Sequence, residues 1–167
     1  MGAAGATAVA GCVSAPPAEE QAAKSTPQPP NMNERPTLDT QRVAGNPTAV
    51  PPPIDRDSPT TVSVEMTTHE QVAEVEPGVT YTYMSFDGRI PGPMIRARVG
   101  DHVEMTVTND ESNSMPHNID LHAVRGPGGG AEASMVAPGE TKTFTFKATY
   151  PGLFTYHCAV PNLDYHI

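Results

Sequence analysis

The sequence predicts an all-β fold, a Greek-key sandwich or barrel, behind a proline-rich segment without a core of its own. Three observations carry this. Apolar residues alternate with period two in short segments from about residue 60 onward. Glycine- and proline-containing turn signals separate those segments, and no stretch shows a 3.6-residue apolar repeat. Residues 60–167 suffice for one domain, which would bury roughly two-thirds of its unfolded surface.

The segments run in order. Thr61–Met66 and Val79–Phe86 alternate, His102–Thr108 follows, and Thr141–Lys147 and Leu153–His157 complete the set. Between them lie Glu76-Pro-Gly78, Asp87-Gly88, Val99-Gly-Asp101, Ala137-Pro-Gly139 and Tyr150-Pro-Gly152, all turn-forming. Such spacing points to an antiparallel arrangement.

Upstream the composition changes. Residues 13–59 hold 11 of the 19 prolines, including Pro51-Pro52-Pro53. Proline removes backbone donors and favours extended geometry, so with little apolar material this reads as a disordered, semi-stiff linker. Residues 1–12 are small and apolar, with no charged side chain before Glu19, and end Val9-Ala-Gly-Cys12. This resembles the lipobox of a lipoprotein signal peptide, with Cys12 as the lipidated residue, although a basic leader region is lacking. The expectation is an exported chain on the cell envelope or periplasmic face, held to a membrane only through a lipid anchor; no stretch is apolar for the roughly 18 residues a spanning helix needs. A net charge of −9 and a pI near 5.0 argue against nucleic acid and anionic membrane surfaces as partners.

Chemistry concentrates in two stretches, Met115–His122 and Tyr156–His166, which hold four of the six histidines and one of the two cysteines. Imidazole and thiolate at that density suit a soft transition metal, copper first. Strand parity divides the set, taking both stretches as extended. His157 and Cys158 are adjacent and leave opposite faces; His117 and His122 are separated by an odd offset and do the same; Asp120 shares a face with His122. One group is therefore His117, Cys158 and His166, a His₂Cys set of the blue-copper type, ordinarily completed by a weak axial Met. The other is His122 and His157 with Asp120 beside them, suited to a copper that binds an oxygen-donor substrate, with Asp120 placed to supply protons. The Cys158–His157 backbone would connect the two. His69 and His102 have no ligand-type neighbour and read as ordinary surface or core residues.

These stretches resemble a known family. Asp87-Gly-Arg-Ile-Pro-Gly-Pro-Met-Ile95 with Val99-Gly-Asp101, Pro116-His-Asn-Ile-Asp-Leu-His-Ala123, the glycine-rich 126–130 and Phe154-Thr-Tyr-His-Cys-Ala159 are similar to the first cupredoxin domain of copper-containing nitrite reductases. The short Cys158–His166 interval resembles the subclass with lipid-anchored members. The resemblance implies type 1 copper on His117, Cys158 and His166, type 2 copper on His122 and His157, and Asp120 hydrogen-bonded to bound nitrite. It implies nitrite reduction to nitric oxide, a small redox protein (cupredoxin or cytochrome c) as electron donor, and a homotrimer. It also implies that residues 60–167 are a C-terminally incomplete cupredoxin sandwich or barrel. The axial Met, the closing strand, a second domain and the third type 2 histidine would lie beyond Ile167, and this length alone should not turn over nitrite. Two other classes share the scaffold. A blue-copper electron carrier would leave Asp120, His122 and His157 without a purpose. A laccase-like multicopper oxidase uses His-x-His pairs, whereas His117 and His122 are spaced His-x₄-His.

Overall fold

The computed structural model describes residues 43–161. Its strands are β1 (Thr61–Glu76), β2 (Val79–Phe86), β3 (His102–Asn109), β4 (Asp120–Leu121), β5 (Thr141–Lys147) and β6 (Tyr156–His157), with a tight 3₁₀ turn at Pro127–Gly130. The all-β expectation holds. Cys12, His166 and residues 1–42 of the leader and linker lie outside the described residues.

Two strand limits differ from the sequence pattern. The first segment does not stop at Met66 but continues through Thr67-Thr-His-Glu-Gln-Val-Ala-Glu-Val-Glu76. That continuation holds three Glu and one Ala, which strands disfavour, and is extended because β2 pairs along it from Thr68↔Phe86 to Glu76↔Val79. Conversely, Leu153–Thr155 is not in a strand; Leu153 is 87% exposed and no ladder reaches it. Tertiary pairing, not propensity, set both limits.

The described strands form a sheet in the order β2-β1-β3-β5 and a two-stranded ladder β4-β6. The expected antiparallel arrangement is corrected at one pair. β1 and β3 run parallel, from Thr61↔His102 to Thr68↔Asn109, while β1–β2 and β3–β5 are antiparallel. Alternation reports which face a residue takes and carries no information on strand direction. Residues 87–101 bring the chain back to the start of β1, which makes the pair parallel. β1 thus serves two partners, β3 along its first half and β2 along its second, with Thr68 paired to both.

β3 shows how the pattern builds the core. Val103, Met105 and Val107 are buried, and they alternate with the exposed His102 and Glu104. Met66, Phe86, Met105, Val107, Ile119, Leu121 and Val136 form one cluster, flanked by Phe144, Phe146 and Tyr156. Each such side chain contributes about 1.5–3 kcal/mol by leaving water. On the opposite face the hydroxyls of Thr106 and Thr143, and of Thr108 and Thr141, pair across β3 and β5 at 2.8 and 2.9 Å.

The linker expected over 13–59 is described from Val43 on. It contains no regular strand there, yet it is fastened to the domain at two points. Val43 is buried, and the 43–45 backbone bonds Ile90. Further on, Arg56 grips the fully buried Asp101 with both guanidinium arms. Asp101 also accepts from the Thr60 and Arg98 amides at 2.9 and 2.6 Å. The Arg56 guanidinium, helped by those amides against the cost of burial, holds the Asp101 carboxyl far below the usual carboxylate range.

Buried polar side chains then shape the loops that carry the histidines. Asn109, fully buried at the end of β3, donates to Met115 O at 2.8 Å and Val136 O at 3.0 Å. Its own oxygen accepts from Thr68 and Asn113. His117 and Val136 exchange backbone bonds at 3.0 and 2.9 Å. Ser134 takes the Ile119 amide at 2.9 Å.

Candidate metal centre

The β4-β6 ladder brings the two histidine stretches together. Asp120 stands opposite His157 and Leu121 opposite Tyr156, and the His122 amide extends the contact to Thr155 O at 3.1 Å. Asn118 adds a cross-tie, its side-chain oxygen accepting the Ala159 amide at 2.7 Å. The parity reading can therefore be compared with positions in space.

On the inner side His117 is fully buried and Cys158 is 1% exposed. Cys158 Sγ lies 3.8 Å from His117 Nδ1. Cys158 is a free thiol. The other imidazole nitrogen of His117, Nε2, is 3.0 Å from Glu70 Oε1. Glu70 projects from β1 beyond the last residue that pairs with β3, and it also accepts from the Ser114 hydroxyl at 2.6 Å and the Ser114 and Met115 amides at 3.0 and 2.9 Å. Burial pushes its carboxyl up, but these donors, Ser114 foremost, outweigh that and leave it below its ordinary value. His166, the third member of the predicted group, lies outside the described residues.

On the outer side Asp120, His122 and His157 each direct a ligand atom into one space, all within 4.8 Å of one another. His122 Nε2 and His157 Nε2 are 3.0 Å apart, with the rings edge-to-face at 5.1 Å. His157 Nδ1 donates to the Cys158 carbonyl at 2.8 Å, so its Nε2 presents a lone pair to this space. The group is partly open: His122 is exposed, Asp120 and His157 half-buried. Asp120 Oδ1 rests against the backbone at Gly129, where a β-carbon would overlap it.

Both spacings fit a metal ion. With bonds of about 2.3 Å to thiolate and 2.0 Å to imidazole, one ion can span a sulfur and nitrogen 3.8 Å apart, or two nitrogens 3.0 Å apart. The donor chemistry differs by side: buried sulfur and nitrogen within, nitrogen and carboxylate oxygen at the surface. The two groups share one backbone step, since Cys158 and His157 are consecutive. The histidines outside both groups sit elsewhere: His69 faces Asp110 at 3.5 Å on the surface, and His102 is exposed at the start of β3. A cavity of about 370 Å³ walled by Met94, Ile95, Val103, Leu121, Phe146 and Phe154 includes none of the histidines and not Cys158. No helix among the described residues is long and apolar enough to cross a membrane.

Sequence reasoning assigned no role to Glu70, Asn118 or Gly129. Asn118 lies inside the histidine motif and could have been suspected from that position. Glu70 stands 47 residues before His117 and carries no local signal.

An all-β domain with these donors is consistent with what the chain matches. A family model described as multicopper oxidase covers residues 67–165, and the chain belongs to that family. Within it, the chain is a homologue of copper-containing nitrite reductases. The protein of that name from Neisseria meningitidis serogroup B is 54% identical over 118 residues, which are 71% of this chain and 30% of that protein. The copper nitrite reductase structure from Nitrosomonas europaea aligns with a TM-score of 0.52 at 39% identity, over 59% of this chain and 34% of that one. A crystal structure of a multicopper oxidase aligns with a TM-score of 0.53 at 34% identity, over 62% and 37%. The chain spans about 30% of the length of the curated relatives it matches.

Proposed function

We propose that this chain is the copper-bearing first cupredoxin domain of a nitrite reductase that forms nitric oxide, NO₂⁻ + 2H⁺ + e⁻ → NO + H₂O. One observation supports this above the rest. Two donor groups of different chemistry lie on opposite sides of a single strand end, joined through the consecutive residues His157 and Cys158. In this reading His117, Cys158 and His166 hold the type 1 copper, and His122 and His157 hold the type 2 copper. Copper would supply one-electron redox chemistry on the buried side and a Lewis-acid seat for nitrite on the open side.

The protein's own residues do the remaining work. The buried Cys158 and His117 keep water from the electron-entry side. The Cys158–His157 backbone provides a covalent route between the groups. Asp120, half-buried and within 4.8 Å of both outer imidazoles, is placed to hydrogen-bond nitrite and pass it protons. Gly129 admits that carboxylate to its position. The axial Met and third type 2 histidine would come from outside this stretch, the latter from a neighbouring subunit of a trimer. Electrons would arrive from a cupredoxin or cytochrome c. An anchor on Cys12 and the proline-rich linker would hold the domain at the cell envelope.

Copper analysis of the full-length protein tests this. Two coppers per subunit, one blue and one non-blue by paramagnetic resonance, is the expected result. One blue copper would instead make it an electron carrier, and four a laccase-like oxidase.

A further inference from the structure

We infer that Glu70 is a positioning residue for His117: it fixes which imidazole nitrogen carries the proton and so aims the Nδ1 lone pair at Cys158. The inference deepens the copper reading and rests on it for its functional meaning, though not for its test.

The argument is one of hydrogen-bond capacity. An ionised carboxylate only accepts. Glu70 Oε1 faces the Met115 amide at 2.9 Å and His117 Nε2 at 3.0 Å, while Oε2 faces the Ser114 amide and hydroxyl at 3.0 and 2.6 Å. Every partner must therefore donate, and His117 Nε2 must bear hydrogen. In the neutral ring, the form that ligates a metal, the lone pair then belongs to Nδ1, the nitrogen 3.8 Å from Cys158 Sγ. A ring nitrogen that receives the thiol, or a metal in its place, needs that assignment and no other. A partner that fixes tautomer and ring angle is what a ligating histidine ordinarily requires.

The location suits the task. Glu70 lies on β1, the strand shared by both neighbours in the sheet, and its amide is itself held by Asn113 Oδ1 at 2.7 Å. Asn113 is held in turn by Thr68 and Asn109. The carboxylate is thus mounted on the rigid part of the fold, and it ties the 114–117 segment to it. The side chain is 9% exposed, so water offers little substitute for it.

The test begins in the copper-free protein, with ¹⁵N-labelled histidine followed by NMR. His117 should show a protonated, slowly exchanging Nε2 and an unprotonated Nδ1. The opposite assignment overturns the inference without any variant being made. Next, Glu70→Gln presents an amide NH₂ that must face a donor at one end or the other. It should speed exchange at His117 Nε2 and weaken copper at the Cys158 site by about 10–100-fold in a chelator competition. Ser114→Ala removes a neighbouring bond to the same carboxylate and leaves the His117 contact; it should change that affinity by less than about threefold, against the tenfold or greater loss expected of a ligand-supporting partner. Equal losses in the two variants, or an unchanged His117 signal in Glu70→Gln, would assign Glu70 a merely structural role. A protein that binds no copper would defeat the functional proposal and leave the tautomer result standing.

Discussion

Gly129→Ala probes the outer donor group without replacing any of its members. Gly129 has φ +54, in the left-handed region, and a β-carbon there would overlap Asp120 Oδ1 and fall 2.7 Å from both Leu121 N and Leu121 O. The left-handed conformation costs a residue with a β-carbon about 1–2 kcal/mol. The overlap adds about 1–3 kcal/mol, because two of the three atoms met are backbone and no rotamer change relieves them. The expected loss is therefore about 2–5 kcal/mol, read as a shift in denaturant midpoint. If β4 yields instead, Asp120 moves, and under the proposed function a displacement on the order of 1 Å of that carboxylate should reduce nitrite turnover of the full-length protein by about 10²-fold. Gly139→Ala separates the two contributions. It has φ +78 and meets only Glu111 Cβ at 3.8 Å, so it should lose about 1–2 kcal/mol and, in the full-length protein under the proposed function, leave nitrite turnover unchanged. Equal stability losses in the two variants, with turnover unaffected in both, would refute the claim that Gly129 makes room for Asp120.

Asn109→Ala removes four hydrogen bonds at a fully buried site. Val136 O keeps the His117 amide, Asn113 keeps Thr68 O, and the Thr68 hydroxyl keeps its longer contacts with Thr108 O and Asn113 Nδ2 at 3.5 and 3.4 Å, so Met115 O is the acceptor that loses its side-chain partner. At about 1–3 kcal/mol for a buried group left unsatisfied, the loss should be about 1–3 kcal/mol by denaturation, and no measurable loss would contradict the network's role. Tyr156 provides a pH test. Burial, reinforced by Asp87 and opposed by Arg89, pushes its hydroxyl up to about 12, and the hydroxyl donates to Pro93 O at 2.7 Å. The folded value exceeds the unfolded one near 10, so this contribution is complete below about pH 10 and is lost as pH rises toward 12. For a half-buried ring we expect about 1 kcal/mol after solvent screening, visible as a tyrosinate absorbance midpoint near 12 that is missing in Tyr156→Phe.

Residue order alone determined much of this protein. The period-two segments and their turn residues located β2, β3 and β5 nearly to the residue; in β3 and β5 one more buried face writes itself into every second position, whereas β2 is exposed over its first four residues and buried over its last three. Adjacency in an extended chain separates His157 from Cys158, because neighbouring strand residues must diverge, whereas His117, Asn118 and Ile119 are buried in succession and follow no such alternation. Other features exist only once the chain has folded. That β1 continues to Glu76 and runs parallel to β3 depends on partners supplied by distant segments. The contacts of Glu70 with His117, of Asn118 with Ala159 and of Gly129 with Asp120 join residues whose local sequence says nothing about one another. Chemical type and side-chain direction are local properties, and short-range order encodes them. The tautomer of an imidazole or the seat of a carboxylate depends on which atoms lie 3 Å away, and only tertiary packing decides that.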